Sequence, residues 1–278
     1  VVALECADEV GVVPETAVVA HLLDGPSADK GRTWSGPTRP IDIDYNLHGF
    51  IPLVDGKRIY NFGTQAIWGM YTNEDGLHEN APIGYRYSDD DGYHWSEVRI
   101  IRPTNDPGFT GMSVMRMCET VKGTWLLGTH EGDWTYKPLM TRQYVLRSED
   151  KGKTWELLPG KRHGGWHVRE YNRMDEGRPI QLADGRVLLM IRTPEGHLWL
   201  TWSEDDGRTW TEPRFVFSTA MAPLFANVFF NYQCSYMDMF LEGSTLNLFI
   251  PHMWHRVLHL AIDESDLMKL SVDDELQR

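Results

Sequence analysis

Apolar-rich runs of about seven residues alternate along the chain with short polar interruptions built on Gly, Asp and Ser. The runs 48–54, 57–63, 112–118, 124–130, 178–183, 186–192, 234–240 and 245–251 are rich in Val, Ile, Leu, Met and aromatic residues. They are too short for ordinary helices and read as strands. Consecutive runs are joined by Asp55-Gly56, Lys122-Gly123, Asp184-Gly185 and Glu242-Gly243, so each pair reads as two antiparallel strands around a tight turn. No convincing 3.6-residue period is sustained anywhere, and helix should be scarce.

A second turn series repeats more strictly. Ser-x-Asp-x-Gly-x-x-Trp occurs at Ser27-Asp29-Gly31-Trp34, Ser88-Asp90-Gly92-Trp95, Ser148-Asp150-Gly152-Trp155 and Ser203-Asp205-Gly207-Trp210, with starts 61, 60 and 55 residues apart. Ser and Asp can bond backbone N–H groups just ahead of them, Gly permits positive φ, and Trp can pack back under the turn. A strand-like segment precedes each copy (16–23, 81–87, 142–147 and 197–202) and a short one follows. Each unit is then four antiparallel strands, A to D, and four-stranded units repeated in series are propeller blades. The expected class is an all-β propeller with about five blades visible, as one domain over 1–278. Residues 1–40 should supply strands B to D of the first blade, its innermost strand A being missing, and 228–278 should supply A, B and C of the last, with D left open.

Composition narrows the field. With 27 basic and 40 acidic residues the formal net charge is −13, which argues against a nucleic-acid binder or an anionic-membrane binder. No apolar stretch reaches the ~20 residues of a membrane-spanning helix, and no targeting signal opens the chain; a secreted or periplasmic location fits if a leader was removed. Cys6, Cys118 and Cys234 are widely spaced without a CxxC and read as buried small hydrophobes, not as a disulfide framework or a zinc site. His130-Glu131-x-Asp133 matches no metal-ligand spacing, and neither metal nor cofactor is expected.

The Ser-x-Asp-x-Gly-x-x-Trp repeat resembles the Asp box (BNR repeat) of the sialidase superfamily over essentially the whole chain. That resemblance implies a propeller with six blades in the family, and Asp boxes that are structural. It also implies the chemistry of a terminal sugar whose anomeric carbon bears a carboxylate. There a neutral Tyr, deprotonated by a Glu, replaces an anionic nucleophile. Three Arg hold the substrate carboxylate and an Asp protonates the leaving oxygen.

Two parts of the family pattern are matched. The segment from Asp175 to Gly185 is similar to the family's Glu-Pro-x-x-x-x-Leu-x-Asp-Gly strand, placing Glu176 as the Tyr-activating base, with Gly177 where Pro is usual. Arg192, sixteen residues on, stands where one carboxylate-binding Arg is expected. Both should lie on neighbouring strands and face the central funnel. Cys234-Ser235-Tyr236-Met237-Asp238-Met239 resembles the Tyr-Ser-x-Leu strand, making Tyr236 the nucleophile candidate and Tyr232 its alternate. The Arg-Ile-Pro strand of the first Arg is absent, its nearest look-alike being Phe50-Ile51-Pro52. The 25 residues between Trp210 and Tyr236 are too few for the blade that normally carries the third Arg. Arg116, Arg142 and Arg256 are the substitutes. Asp8 is the acid candidate, with Glu15 beside it. His48, His130 and Asp133 are further candidate substrate contacts, and His163 and His167 read as rim residues.

The resulting expectation is a sialidase-like exo-glycoside hydrolase on terminal, acidic sugars of glycans. The alternatives are a glycan-binding propeller without turnover and a propeller polysaccharide lyase using Tyr and His. The partner expected is a glycan, with the oligomeric state open.

Overall fold

The computed structural model describes residues 2–5, 23–26, 29, 32–33, 51–64, 80–137, 139–168, 173–193, 197–218, 237–252 and 256–267. A first pair of strands, β1 (Val2–Glu5) and β2 (Leu23–Pro26), is antiparallel. Three four-stranded meanders follow. The first is β3 (Ile51–Asp55), β4 (Arg58–Thr64), β5 (Ile83–Ser88) and β6 (Arg99–Ile100). The second is β7 (Ser113–Glu119), β8 (Trp125–Asp133), β9 (Met140–Ser148) and β10 (Glu156–Leu158). The third is β11 (Asp175–Gln181), β12 (Val187–Arg192), β13 (His197–Ser203) and β14 (Arg214–Ser218). A three-stranded sheet, β15 (Asp238–Glu242), β16 (Thr245–His252) and β17 (Arg256–Asp263), completes the set. Every pairing within these sheets joins strands adjacent in sequence, as the paired turns predict. After β17 the described chain makes a one-turn helix, α1 (Glu264–Leu267), and the Glu264 carboxylate accepts the Ala183 N–H at 2.8 Å across the neighbouring hairpin turn. No described helix is long and apolar enough to cross a membrane.

The repeat turns close as their chemistry dictates. At Ser148 the hydroxyl accepts the Gly152 N–H at 2.8 Å, Asp150 accepts the Thr154 N–H and hydroxyl, and the Trp155 indole donates to the Gly152 carbonyl at 3.0 Å. The same bonds recur at Ser203, Asp205 and Trp210, and Asp29 accepts from Arg32 and Thr33 in the first copy. Gly152 sits at φ 80° directly after Lys151 at φ 59°, a left-handed pair that only Gly accommodates without strain in its second place.

These carboxylates titrate low. Burial works against the Asp205 anion, but the Thr209 hydroxyl and N–H and the Ser203 hydroxyl outweigh it and hold the group at about 2. At Asp90 the His94 ring and N–H do the same, again to about 2. A depressed folded-state value means stability present above the unfolded Asp value of ~3.9 and lost as pH falls towards 2. The thermal midpoint should therefore fall steeply between about pH 4.5 and pH 2, and Asp205→Asn should lower it at pH 7 and flatten that slope. A melting series that is level across this window would show that the turns do not govern acid stability.

Consecutive sheets stack through their faces. Along β8, Trp125 and Leu127 point into a cluster with Tyr60, Phe62, Leu146, Trp155 and Leu157, against the preceding sheet. Leu126 points the other way, to Val145, Met174, Val187 and Leu189 of the next interface. Leu188, Met190, Leu200, Met237, Met239 and Leu248 fill the third. Each such side chain stabilises by ~1.5–3 kcal/mol, against ~0–1 for an exposed ion pair, so apolar faces dominate the stack. Cys118 lies in the second interface, and burial pushes its thiol up to about 11, as expected of a small hydrophobe; Cys6 and Cys234 lie outside the described residues. Innermost strands are also tied together. Arg116 on β7 donates to the Asp238 carboxylate at 2.8 Å and the Met239 carbonyl at 2.7 Å on β15, and Arg178 on β11 stands 3.7 Å from Asp238.

Candidate functional site

In each four-stranded sheet the A–B hairpin and the repeat turn share one edge. The opposite edge collects the starts of the first and third strands and the end of the second. On that second edge stand Ser113, His130, Glu131, Asp133 and Arg142 in one sheet and Asp175, Glu176 and Arg192 in the next. The two sheets meet there, through the bridge between Thr141 and Arg173.

Glu176 and Arg192 lie on neighbouring strands and pair with each other. β11 pairs with β12 with Asp175 opposite Arg192, and the register then shifts before Arg178. The Arg192 guanidinium donates through both Nε and Nη2 to the Glu176 carboxylate, the Nη2 bond being 2.8 Å. Glu176 is 5% and Arg192 7% exposed, so this forked ion pair is screened from water. Asp175, fully buried beside it, receives the Arg173 Nε at 3.1 Å and faces Arg192 Nε at 3.5 Å. Burial alone would raise its carboxyl; the charges of Arg192 and Arg173 reverse that and hold it below the usual range.

The bulge at Glu176-Gly177 explains the departure from the family strand. Glu176 has φ 58°, which is uncommon for a residue with a side chain and costs ~1–3 kcal/mol unless neighbours enforce it. Two neighbours do. Its N–H donates to His130 Nδ1 at 3.3 Å, and the Gly177 N–H donates to Gln143 Oε1 at 2.7 Å. Gln143 is fully buried, and its amide nitrogen donates to the Thr129 and Tyr144 carbonyls, both at 2.7 Å, so its orientation is fixed. Pro at position 177 would have no N–H for Gln143, and it would drive residue 176 towards extended backbone. A Cβ at position 177 would also fall 2.5 Å from the Gln143 side-chain amide carbon, so this conformation requires Gly.

The other face of the β7–β10 sheet carries a second polar cluster. Glu131, buried, accepts from Arg142 at 3.3 Å and from the Tyr144 hydroxyl at 3.4 Å, and its other oxygen lies 2.7 Å from His163 Nδ1. Arg142 also donates to Asp133 at 3.1 Å. Desolvation and the Glu131 charge raise the Tyr144 phenol, and Tyr144 has no exposed surface, so it stays a protonated donor out of reach of any substrate.

Among the substitutes for a missing carboxylate-binding Arg, Arg116 is bonded to Asp238 and Arg142 to Glu131 and Asp133, each within the protein. Arg256 opens β17 opposite His252. His130 is buried between Ser113 and the Glu176 backbone. Tyr236, Tyr232, Asp8, Glu15 and His48 lie outside the described residues. Sequence reasoning missed Gln143, Asp175, Arg173 and the Glu131–His163 contact. The only signal for them was register: Arg142 opposite Glu131 and Asp175 opposite Arg192 follow once β8–β9 and β11–β12 are aligned by their turns.

The family described as the BNR repeat-like domain matches residues 9–245. No curated protein matches the sequence. Among solved structures, the NanB sialidase of Streptococcus pneumoniae superposes with TM-score 0.60 at 13% identity, over 92% of this chain and 55% of its own. The Trypanosoma rangeli sialidase, captured as a covalent intermediate with 2,3-difluorosialic acid, gives TM-score 0.56 at 13% identity, over 87% of this chain and 43% of its own. The Hadza microbial sialidase Hz136 gives 0.53 at 17% identity, over 88% and 60%. The likeness is one of fold, a β-propeller, and this chain spans about half the length of those proteins.

Proposed function

Because the chain belongs to the BNR repeat-like family, we propose that it is a sialidase-like exo-glycoside hydrolase acting on a terminal acidic sugar of a glycan. The observation that carries this reading is the forked Glu176–Arg192 pair, set by a left-handed bulge at the start of an innermost strand. In this role Glu176 takes the proton of the Tyr236 hydroxyl, which then attacks the anomeric carbon, and Asp8 protonates the leaving oxygen. The Arg192 guanidinium both orients Glu176 and faces the substrate carboxylate, with Arg256 as its partner from the next sheet.

One observation favours a second reading. Arg116 and Arg142 are already neutralised inside the protein, and Glu176 is held on two oxygens by Arg192. A propeller built so fits a glycan-binding protein without turnover, with little selectivity for an acidic sugar.

A fluorogenic sialoside separates the two. Hydrolysis by the full chain, reduced by about 10²–10⁴-fold in Glu176→Gln and in Tyr236→Phe, is the expected result. Saturable sialoside binding with no product supports the second reading. Turnover that both substitutions leave intact would remove these residues from the chemistry.

A further inference from the structure

A groove of about 740 Å³, lined by neither Glu176 nor Arg192, opens between the β7–β10 and β11–β14 sheets. Its walls come from three indoles on both sheets: Trp166 from the loop after β10, Trp199 on β13, and Trp210 from the repeat turn. None is fully buried, although all three pack against the apolar interface beneath. The Trp166 and Trp210 rings are 6.1 Å apart at 66°, forming an open corner. His167, Arg208 and Glu212 stand exposed around it.

We propose that this groove binds a neutral saccharide chain, at a site separate from the Glu176–Arg192 centre. A pyranose ring has a C–H face and an edge of hydroxyls. The C–H face stacks on one indole of such a corner while the edge turns to the second ring and the polar rim. The volume falls in the ~300–1,000 Å³ range of small-molecule sites.

Charge excludes the anionic ligands that an arginine at the rim would otherwise suggest. Arg208 is bonded to Glu149 at 2.5 Å, and Glu212 adds a further negative charge to the same rim. A lipid tail or apolar peptide face would leave that rim desolvated without partners. Gly160 and Gly164 line the remaining side and project no side chain of their own into the groove.

The test is titration of the full chain with lactose, N-acetyllactosamine and their longer homologues, read by calorimetry and by the indole N–H signals in NMR. Saturable binding that shifts the Trp166 and Trp199 signals is expected. Trp166→Ala should weaken it by about tenfold or more, Glu212→Ala should weaken it less, and Glu176→Gln should leave it unchanged. The Glu176→Gln arm separates this site from the proposed hydrolase centre, since Glu176 does not line the groove. The idea is overturned if none of the sugars binds, if binding leaves the indole signals unmoved, or if Glu176→Gln abolishes it. The NMR reading needs no variant, so a Trp166→Ala chain that fails to fold does not obscure the outcome.

Discussion

Replacing Arg192 with Ala is expected to destabilise the protein by about 3–5 kcal/mol and to abolish any turnover. The substitution removes the guanidinium from between two buried carboxylates, Glu176 at 5% exposure and Asp175 at none. Breaking a buried pair from one side costs that much because the partner keeps its charge without its solvation. Arg173 still reaches Asp175, but nothing among the described residues replaces the two bonds to Glu176. Arg192→Lys should recover only part of the loss, since an ammonium cannot span both carboxylate oxygens as a fork. Asp175 supplies a pH signature. Its folded-state value is depressed, so the field of Arg192 stabilises above the usual carboxylate range and its contribution disappears as Asp175 is protonated. The gap between wild type and Arg192→Ala, measured by denaturant titration, should therefore narrow in acid. A variant as stable as wild type at pH 7 would mean that the carboxylates reach water.

Gly128→Ala should be the second most damaging change. Gly128 lies on β8 under the bulge of β11, and a Cβ there would fall 1.9 Å from the Gly177 carbonyl oxygen and 3.2 Å from Pro179 Cδ. A backbone atom cannot rotate away, so β11 itself must shift. Overpacking of this kind costs ~1–3 kcal/mol, a drop of several degrees in melting temperature for a chain of this size. The displacement falls on Gly177, whose N–H holds Gln143, and hence on Glu176. A displacement of ~1 Å can cost ~10²-fold in rate, so activity should suffer beyond what the melting curve implies. Calorimetry with the sialoside assay checks both. An unchanged melting temperature would show that the strands separate without strain.

What could be read from the sequence, and what could not, follows the range of each interaction. The repeat turns were legible because Ser148, Asp150, Gly152 and Trp155 bond to one another within a few residues. The hairpins were legible for the same reason, and with them the order of every sheet. Glu176 and Arg192 were located by resemblance, sixteen residues apart on paired strands. The bulge that sets them was not legible. It depends on Gln143 and His130 of the preceding sheet, 34 and 46 residues away, which no local pattern connects to Glu176. Arg116 and Arg142 looked available because a strand residue's alternation tells which face it takes and not what stands opposite. Asp238, 122 residues beyond Arg116, supplies that partner. After the third strand of the last sheet, a point the sequence left open, Glu264 turns the chain into α1 and engages the Ala183 N–H, a contact 81 residues long.

The division of β8 between two interfaces, with Trp125 and Leu127 on one side and Leu126 on the other, constrains how the chain acquires its structure. Each meander can close its own hairpins early, since all its ladders are local, but one bare sheet cannot bury both faces. Its free energy is completed only by docking to its neighbours, as in repeat proteins with nearest-neighbour coupling. During synthesis from the N-terminus, the sheet last made presents an uncovered apolar face until the next 55 to 61 residues emerge. That interval is when the nascent chain is most exposed to misassociation, and the Arg116 link to Asp238 can form only after the intervening β11–β14 sheet exists. The contact across the innermost strands therefore reports the completion of the stack, not its initiation.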